Sequence, residues 1–278
     1  MKEKRGVNMK SLRELFPNDD IYQAVQQTEV AVLAFSFKNA GPLSLTTSKA
    51  GGVGYFSKEL AYPTNLAGQP LSLLAQINFE EMPHLAKYPK KGILAFYIDL
   101  FDDLLGLDFD NPTNNKGFRV VYFEDITKES YTREEMDDIF AEFPKEDDYC
   151  VVNGEFQMLG TIEPRYLVTD SYSFEKVYGT HFYEYMETHF GDAADDVSDA
   201  IYENLAIAGS LMGGYPFFTQ EDPRNYAENV THTELLFQLD TDEIGIMWGD
   251  SGVGNFFISK EDLANRNFTN VLYNWDCY

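Results

Sequence analysis

The residues that first suggest chemistry form a glycine-rich octapeptide, GGVGYFSK, which begins at Gly51. Glycines followed by a Ser-Lys pair are typical of loops that wrap a phosphate. A Walker A loop, however, needs Gly-Lys-Ser/Thr at the start of a helix, where free amides and the helix dipole bind the anion. Here Tyr55 and Phe56 separate Gly54 from the Ser-Lys pair. The spacing therefore favours a tight turn over a phosphate site.

A similar turn occurs again later in the chain. A shift of 162 positions places GGYPFFTQ over GGVGYFSK and Gln238 over Gln76. The same shift places Gly254 over Gly92, where each glycine precedes an apolar run. We therefore predict an internal duplication, with two β units packed about a pseudo-two-fold axis.

The second copy argues further against phosphate binding. Pro216 stands where the first copy has Gly54, and a proline has no N–H to donate to a phosphate oxygen. Glycine, in contrast, suits a turn with positive φ. We predict two structural turns, formed by Gly51 and Gly52 in the first copy and by Gly213, Gly214 and Pro216 in the second.

Two glutamines lie inside apolar strand segments, Gln76 in LLAQIN and Gln238 in LLFQLD. A buried glutamine must form hydrogen bonds or cost about 1–3 kcal/mol. Either each glutamine binds the backbone of its own turn, or both form the polar floor of a ligand cleft between the repeats. In the second case Trp248 and Asp250, from the turn MWGDSG, are candidates for the cleft wall.

Known catalytic and metal-binding patterns are missing from the sequence. The segment DFDNPTNNKGFR lacks the glycine and the final glutamate of a calcium loop. No nucleophile elbow occurs, and the four histidines show no zinc-binding spacing. We assign no catalytic residue, no metal ligand and no cofactor, and we favour a protein that is not an enzyme.

The charge of the chain points to a class of partner. The formal net charge is −25, which disfavours nucleic acid and anionic lipid and favours a basic protein partner. The longest largely apolar run, VAVLAFSF from Val30, has eight residues, whereas a membrane helix needs about 20. Two cysteines are ordinary thiol usage for a reducing compartment. We expect a cytoplasmic protein that binds neither nucleic acid nor membranes.

Strand signals dominate the rest of the chain. Runs rich in β-branched and aromatic residues are bounded by Gly, Pro, Asn or Asp clusters, and helical patterns are few. We predict a mainly β fold (β-rich α+β) of curved antiparallel sheets, a roll with a few peripheral helices. A tail or short helix at 1–18 precedes one compact domain at 19–278. Its repeat halves, about 19–126 and 165–278, are joined by a segment with a helix at about 132–142.

The longer motifs resemble the YwqG-like proteins, a bacterial family of uncharacterised domains. The resemblance lies in GGYPFFTQEDPR, ELLFQLD, MWGDSGVGNFFISKEDL and VLYNWDCY, and in PLSLLAQINFEEMP followed by GILAFYID. The chain departs from the family's pattern at Gly54, which replaces a proline, and at Tyr62-Pro63, which stands for a Trp-Pro pair. The resemblance implies a mainly β fold with an internal duplication. It implies no activity, substrate or catalytic residue.

Three functions are compatible with these patterns. We favour a non-enzymatic binding or interaction protein, because catalytic motifs are missing and the β scaffold is duplicated. The charge of −25 supports a second possibility, an acidic immunity-type inhibitor of a basic toxin. The third is a ligand-binding protein or enzyme that uses a cleft between the repeats.

Overall fold

The computed structural model describes residues 10–144, 149–226 and 230–278, so most of the predicted tail lies outside the described residues. The helices are α1 (Leu12–Leu15), α2 (Asp19–Gln26), α3 (Arg133–Ala141), α4 (Tyr172–Tyr178), α5 (Phe182–Phe190), α6 (Ala194–Asn204) and α7 (Lys260–Asn265). The strands are β1 (Val30–Lys38), β2 (Lys49–Gly51), β3 (Ser72–Asn78), β4 (Ile93–Ile98), β5 (Phe118–Phe123), β6 (Glu155–Arg165), β7 (Leu211–Met212), β8 (Glu234–Asp240), β9 (Val253–Ile258) and β10 (Val271–Asp276).

All these strands form one antiparallel sheet, which curls into a nearly closed barrel. The order across it is β10-β9-β8-β7-β1-β6-β2-β3-β4-β5. Read from either edge, four strands that are consecutive in the chain lead to the central pair, β1 and β6. β1 of the first half lies beside β7 of the second, and β6, from the segment between the predicted halves, pairs with both β1 and β2. The predicted mainly β fold with few helices is confirmed.

The hydrogen-bond register repeats between the two halves of the sheet. β3 has a bulge between Leu73 and Ala75 where it pairs with β4, and β8 has one between Leu235 and Phe237 where it pairs with β9. Bulges bend a strand and redirect its side chains, so their placement is specific. These two lie at positions related by the shift of 162. The boundaries of the repeat halves, 19–126 and 165–278, stay a prediction.

One of the sequence matches, Gly92 with Gly254, is wrong by two residues. The Gly92 carbonyl oxygen accepts a hydrogen bond from the Phe79 amide, and the equivalent bond runs from the Thr241 amide to the Gly252 carbonyl. Gly252 is therefore the counterpart of Gly92. The connection between β8 and β9 is two residues shorter than the one between β3 and β4, which a single constant shift cannot reveal.

Aromatic side chains fill the space that the curled sheet encloses. The ring centroid of Phe96 lies 4.6 Å from that of Phe237 and 4.9 Å from that of Phe256. At the two edges of the sheet, Phe118 of β5 and Tyr273 of β10 have ring centroids 5.1 Å apart. Side chains from both halves therefore form one continuous core.

A loop between β4 and β5, residues 99–117, covers the opening between the two edge strands. The Tyr273 amide donates to the Pro112 carbonyl at 2.9 Å, and the Trp275 indole N–H donates to the Leu104 carbonyl at 2.8 Å. These bonds satisfy donors on β10, which as an edge strand has one side without a strand partner. The loop thus closes the barrel without a further strand pair.

Most of the helices lie outside the main core, although Leu263 of α7 packs into it. A second hydrophobic cluster includes Val25 of α2, Phe174 of α4 and Ile201 of α6. In the segment between the halves, Thr132 and Glu135 form a capping box that begins α3. Reciprocal bonds of this kind satisfy amides that the first helical turn leaves unpaired.

We expect Gly252→Ala to lower the free energy of unfolding by about 3 kcal/mol, because overpacking must separate neighbouring strands. A Cβ at Gly252 would lie 1.9 Å from the carbonyl oxygen of Asp276 on β10. Gly68→Ala is the control, since a Cβ there meets nothing within 4 Å. Its positive φ should cost only about 1 kcal/mol. Urea denaturation measures both variants, and equal losses would contradict the close approach at Gly252.

Candidate functional site

Gln76 is fully buried in β3, and its side chain binds backbone groups. Its Oε1 accepts a hydrogen bond from the Tyr55 amide at 2.9 Å, and its Nε2 donates to the carbonyl oxygens of Leu45 and Thr47, both at 2.7 Å. Tyr55 directly follows GGVG, whereas Leu45 and Thr47 precede it. One side chain therefore joins the two ends of the segment that carries the first glycine turn.

Gln238 is fully buried in β8 and forms matching bonds. The Phe217 amide donates to its Oε1 at 2.8 Å, and its Nε2 donates to the Gly209 carbonyl at 2.6 Å. Phe217 and Gly209 lie 162 positions after Tyr55 and Thr47. These contacts favour the interpretation in which each glutamine binds the backbone of its own turn. The assignment of both glutamines to a ligand site stays a prediction.

The backbone of the two turns accounts for their glycines. Gly51 and Gly52 have φ of 68° and 65°, and Gly213 and Gly214 have φ of 77° and 72°. Other residues rarely adopt these values. Pro216, two residues further along the second turn, is buried.

Trp248 and Asp250, predicted as walls of a ligand cleft, lie in different surroundings. Trp248 is fully buried and stacks on Trp275 with ring centroids 6.0 Å apart. Asp250 lies on an exposed turn, where its backbone carbonyl accepts a hydrogen bond from the Tyr278 amide at 3.2 Å. Neither of these side chains, and neither glutamine, lines the two cavities described next.

A cavity lies beside each glycine turn. We name the first, of about 290 Å³ at Gly51–Gly54, the tyrosine cavity, and the second, of about 780 Å³ at Gly213–Tyr215, the lysine cavity. Pockets that hold small molecules measure about 300–1,000 Å³. The side chains that line the tyrosine cavity include Tyr62, Ser72, Leu73, Tyr97, Met136 and Phe140. Those that line the lysine cavity include Lys87, Ile162, Lys176, Val177, Glu234 and Lys260.

The lysine cavity carries positive charge on a strongly acidic chain. The Lys87 Nζ lies 3.1 Å from one carboxylate oxygen of Glu234, and the Lys260 Nζ lies 3.9 Å from the other. On α4, the Lys176 Nζ lies 3.7 Å from the centre of the Tyr172 ring. Three lysines therefore face one carboxylate among the described side chains that line this cavity. Such a surplus of positive charge can hold an anion.

The tyrosine cavity presents phenol groups. The Tyr62 hydroxyl donates to the Leu71 carbonyl at 3.1 Å. Tyr97 is buried, and its hydroxyl forms no hydrogen bond with any described residue. Burial raises the pKa of both phenols, so both stay neutral at physiological pH. The Tyr97 hydroxyl is therefore a neutral donor and acceptor whose bonding capacity is unused.

The two cavities share a framework but differ in chemistry. The register of β3 with β4 and of β8 with β9 makes Glu234 the counterpart of Ser72 and Phe257 the counterpart of Tyr97. A carboxylate that holds lysines thus replaces a hydroxyl, and a phenyl ring replaces a phenol. The same turn is used twice, once beside cations and once beside phenols.

A fully buried lysine lies beneath the first turn. The Lys49 Nζ donates to the Val53 carbonyl at 2.9 Å and pairs with Glu155 at 2.7 Å, and Arg133 binds the same carboxylate oxygen at 2.7 Å. Burial lowers the pKa of Lys49, although Glu155 opposes this. Burial alone would raise the pKa of Glu155, but the bonds from Arg133 and Lys49 outweigh it and lower that pKa. In the second half Leu211 takes the place of Lys49.

The parts of the chain that the structure describes contain neither a cluster of metal ligands nor a helix that could cross a membrane. In residues 10–144, 149–226 and 230–278, no three His, Cys, Asp or Glu side chains are grouped so as to hold a metal ion. Over the same ranges, no helix has the length and apolar character to cross a bilayer.

A comparison with protein families decides the membership of the chain. The model of a domain of unknown function, DUF1963, matches residues 48–277. The chain belongs to this family. A comparison with the curated proteins finds no match. The DUF1963 region contains both glycine turns, both glutamines and the strands from β2 to β10.

Sequence patterns missed the side chains that give the two DUF1963 cavities their chemistry. Lys87, Lys176 and Lys260 lie far apart in the chain, so no local spacing relates them. Tyr97 did carry a usable signal, because its hydroxyl interrupts the apolar run ILAFYI just as Gln76 interrupts LLAQIN. A polar atom inside a buried strand needs a hydrogen-bond partner. In the structure Gln76 has such partners, whereas the Tyr97 hydroxyl has none among the described residues.

We expect Gln76→Met to destabilise the protein more than Gln238→Met. The first variant leaves three backbone groups without their partner and the second leaves two. An unpaired buried group costs about 1–3 kcal/mol, so losses of about 4 and about 3 kcal/mol are expected in urea denaturation. Gln23→Met, at an exposed position of α2, is the control and should change little. A larger loss of stability for Gln238→Met than for Gln76→Met would contradict this prediction.

We expect Glu155→Gln to lower the free energy of unfolding by about 3 kcal/mol at pH 7, because it leaves the Lys49 ammonium buried without its counter-charge. The folded-state pKa of Lys49 then falls further below its unfolded value. The unfolded state therefore binds more protons, and the stability of the variant should rise with pH between neutrality and about pH 10. Lys49→Met should cost less, since Glu155 keeps Arg133.

Urea denaturation of the variant and the wild type between neutral and alkaline pH checks this. Glu129→Gln, which breaks an exposed pair with Lys58, is the control and should show no such slope relative to the wild type. A loss for Glu155→Gln that does not change with pH would refute the role of the buried ammonium.

Proposed function

We propose that this DUF1963 protein is a non-catalytic binding protein whose lysine cavity holds a small organic anion. The supporting observation is a local reversal of charge. The formal net charge of the chain is −25. Yet the described residues that line this cavity of about 780 Å³ include three lysines and a single acidic residue, Glu234. A strongly acidic surface repels anions, so a site for one needs its own cluster of cations.

The lysines can turn towards a ligand. The side chains of Lys87 and Lys260 are 68% and 74% exposed, whereas that of Glu234 is 15% exposed. Exposed ion pairs contribute only about 0–1 kcal/mol, so a bound anion competes easily with Glu234 for the two ammonium groups. Glu234 holds both lysines near the cavity until a ligand arrives.

Apolar side chains beside the lysines favour an anion with an apolar part. Ile162 of β6 and Val177 of α4 line the cavity and are 45% and 56% exposed. Covering such surface yields about 25 cal/mol per Å². A carboxylate or phosphate attached to a hydrocarbon or ring fits this combination.

Two finer predictions accompany this function. The lysine cavity is lined by residues 84–88 of the first half and 233–235 of the second, so it is our candidate for the cleft between the repeats. The closer grouping with YwqG-like proteins is compatible with the DUF1963 match, and we retain it, together with a cytoplasmic location, as part of the proposal.

Calorimetric titration at low salt with succinate, benzoate, glucose 6-phosphate and AMP tests the function. At least one of these anions should bind, and Lys87→Gln/Lys260→Gln should weaken it about 10- to 100-fold, because hydrogen bonds to charged groups contribute about 1.5–3 kcal/mol. Lys58→Gln/Lys128→Gln is the matched control, since it removes the same charge from two lysines outside both cavities.

The chemical state of the anion after incubation with the protein distinguishes a binding protein from an enzyme. An anion that is unchanged by NMR after long incubation supports a binding protein, whereas a converted one makes the protein an enzyme. If none of the anions binds, or if the lysine variant binds as well as the wild type, the lysine cavity is not the site.

A basic partner protein is the second candidate function, and one surface favours it. Leu66 and Phe109 are 80% and 70% exposed, and they border a groove that is lined by Asp102, Asp108 and Asp110 and by one cation, Lys116. Apolar side chains ringed by carboxylates complement a segment rich in Lys or Arg. An immunity-type inhibitor of a basic toxin would use such a surface. A lysine-rich, leucine-containing peptide in the same titration series distinguishes this candidate, since it should bind where the anions fail.

A further inference from the structure

Tyr97 has an unused hydroxyl, a feature that it shares with Tyr185 among the buried tyrosines but not with three others. Tyr55, Tyr88 and Tyr273 are also buried, and their hydroxyls donate to backbone carbonyls at 3.2, 2.7 and 3.3 Å. Tyr97 is 2% exposed and lines the tyrosine cavity, but its hydroxyl has no partner among the described residues. The hydroxyl is not sealed off in the core but borders the cavity, where a ligand can bond to it.

The second half of the sheet has a phenylalanine at the equivalent position. Phe257 is the counterpart of Tyr97, and the Arg224 guanidinium covers its ring at 4.0 Å from the centre. Asp222 holds this guanidinium through bonds of 2.6 and 2.8 Å. In the second half, a side chain of the protein thus covers the aromatic ring. In the first half, the ring with the extra hydroxyl borders an open cavity.

Three residues that line the same cavity carry further unpaired polar groups. The amides of Val53 and Gly54 and the hydroxyl of Ser72 form no hydrogen bonds with described residues. Gln76 and Lys49 hold the turn that carries these amides, through Tyr55 and Val53. The donors are therefore fixed in position before any ligand arrives, which lowers the entropic cost of binding.

Charge and volume narrow the class of ligand. The described residues that line the tyrosine cavity include no Lys, Arg or His. They do include Asp137, whose side chain is exposed. The Asp137 carboxylate would repel an anion, and the amide N–H groups would repel a cation. Leu73, Met136 and Phe140 supply apolar walls. A volume of about 290 Å³ accommodates roughly ten non-hydrogen atoms, at about 30 Å³ for each.

We propose that the tyrosine cavity is a separate binding site for a small neutral molecule, with an apolar body and a carbonyl or amide oxygen. That oxygen accepts hydrogen bonds from the Tyr97 hydroxyl and from the amides of the glycine turn. Anion binding in the lysine cavity is independent of this site, because the two cavities have no lining residue in common.

Three probes of equal size test the class of ligand: benzamide, benzoate and benzylamine. In protein-observed NMR titrations, benzamide should bind with a dissociation constant of about 1 mM or below, and the two charged probes should bind at least tenfold more weakly at this site. Tyr97→Phe should weaken benzamide about 5- to 10-fold while the melting temperature stays the same or rises. A structural tyrosine would show the opposite, a lower melting temperature.

Tyr55→Phe is the matched control. It removes a hydroxyl that bonds to backbone carbonyls outside the cavity, so it should lower the melting temperature and leave benzamide affinity unchanged. Lys87→Gln/Lys260→Gln should also leave benzamide binding unchanged, which excludes the lysine cavity as its site. The assignment is overturned if benzamide does not bind at about 10 mM, or if Tyr97→Phe binds it as well as the wild type.

Discussion

Two buried glutamines satisfy the backbone of the two glycine turns, and both cavities depend on those turns. A carbonyl or amide that leaves a strand ladder inside a protein must find another partner. Gln76 and Gln238 provide it from within the sheet, at positions where a strand of apolar residues would leave the turn unsupported. The amide bonds to Tyr55 and Phe217 fix where each turn ends, and the open space beside it follows from that placement.

Because these bonds involve backbone groups, the neighbouring side chains can differ between the halves without loss of the framework. Glu234 replaces Ser72, and Leu211 replaces Lys49. The first half has the buried Lys49 beneath its turn, paired with Glu155 from the segment between the halves, and phenols beside the turn. The second half has an apolar residue beneath its turn and cations beside it. Under our two proposals, these two copies of one β unit would bind different ligands, one a neutral molecule and the other an anion.

The distribution of charge matters more for binding than its total. A net charge of −25 describes the surface that a distant partner meets. Lys87, Lys176 and Lys260 change the sign locally, within a cavity that a small ligand reaches at close range. Screening limits the long-range repulsion to about 8–10 Å at physiological salt. An acidic protein can therefore both attract a basic partner and hold a small anion.

Local patterns were sufficient to predict the mainly β class and the spacing of 162 between the turns, because strand patterns and turn residues are properties of neighbouring residues. They also identified Gln76 and Gln238 as polar atoms in need of partners. The tertiary structure decided what depends on strand order and register. It places β1 beside β7, makes Gly252 the counterpart of Gly92, and brings lysines from three distant segments to one cavity. Contacts between residues far apart in the chain arise from how the sheet curls, and no periodicity in the sequence encodes that closure.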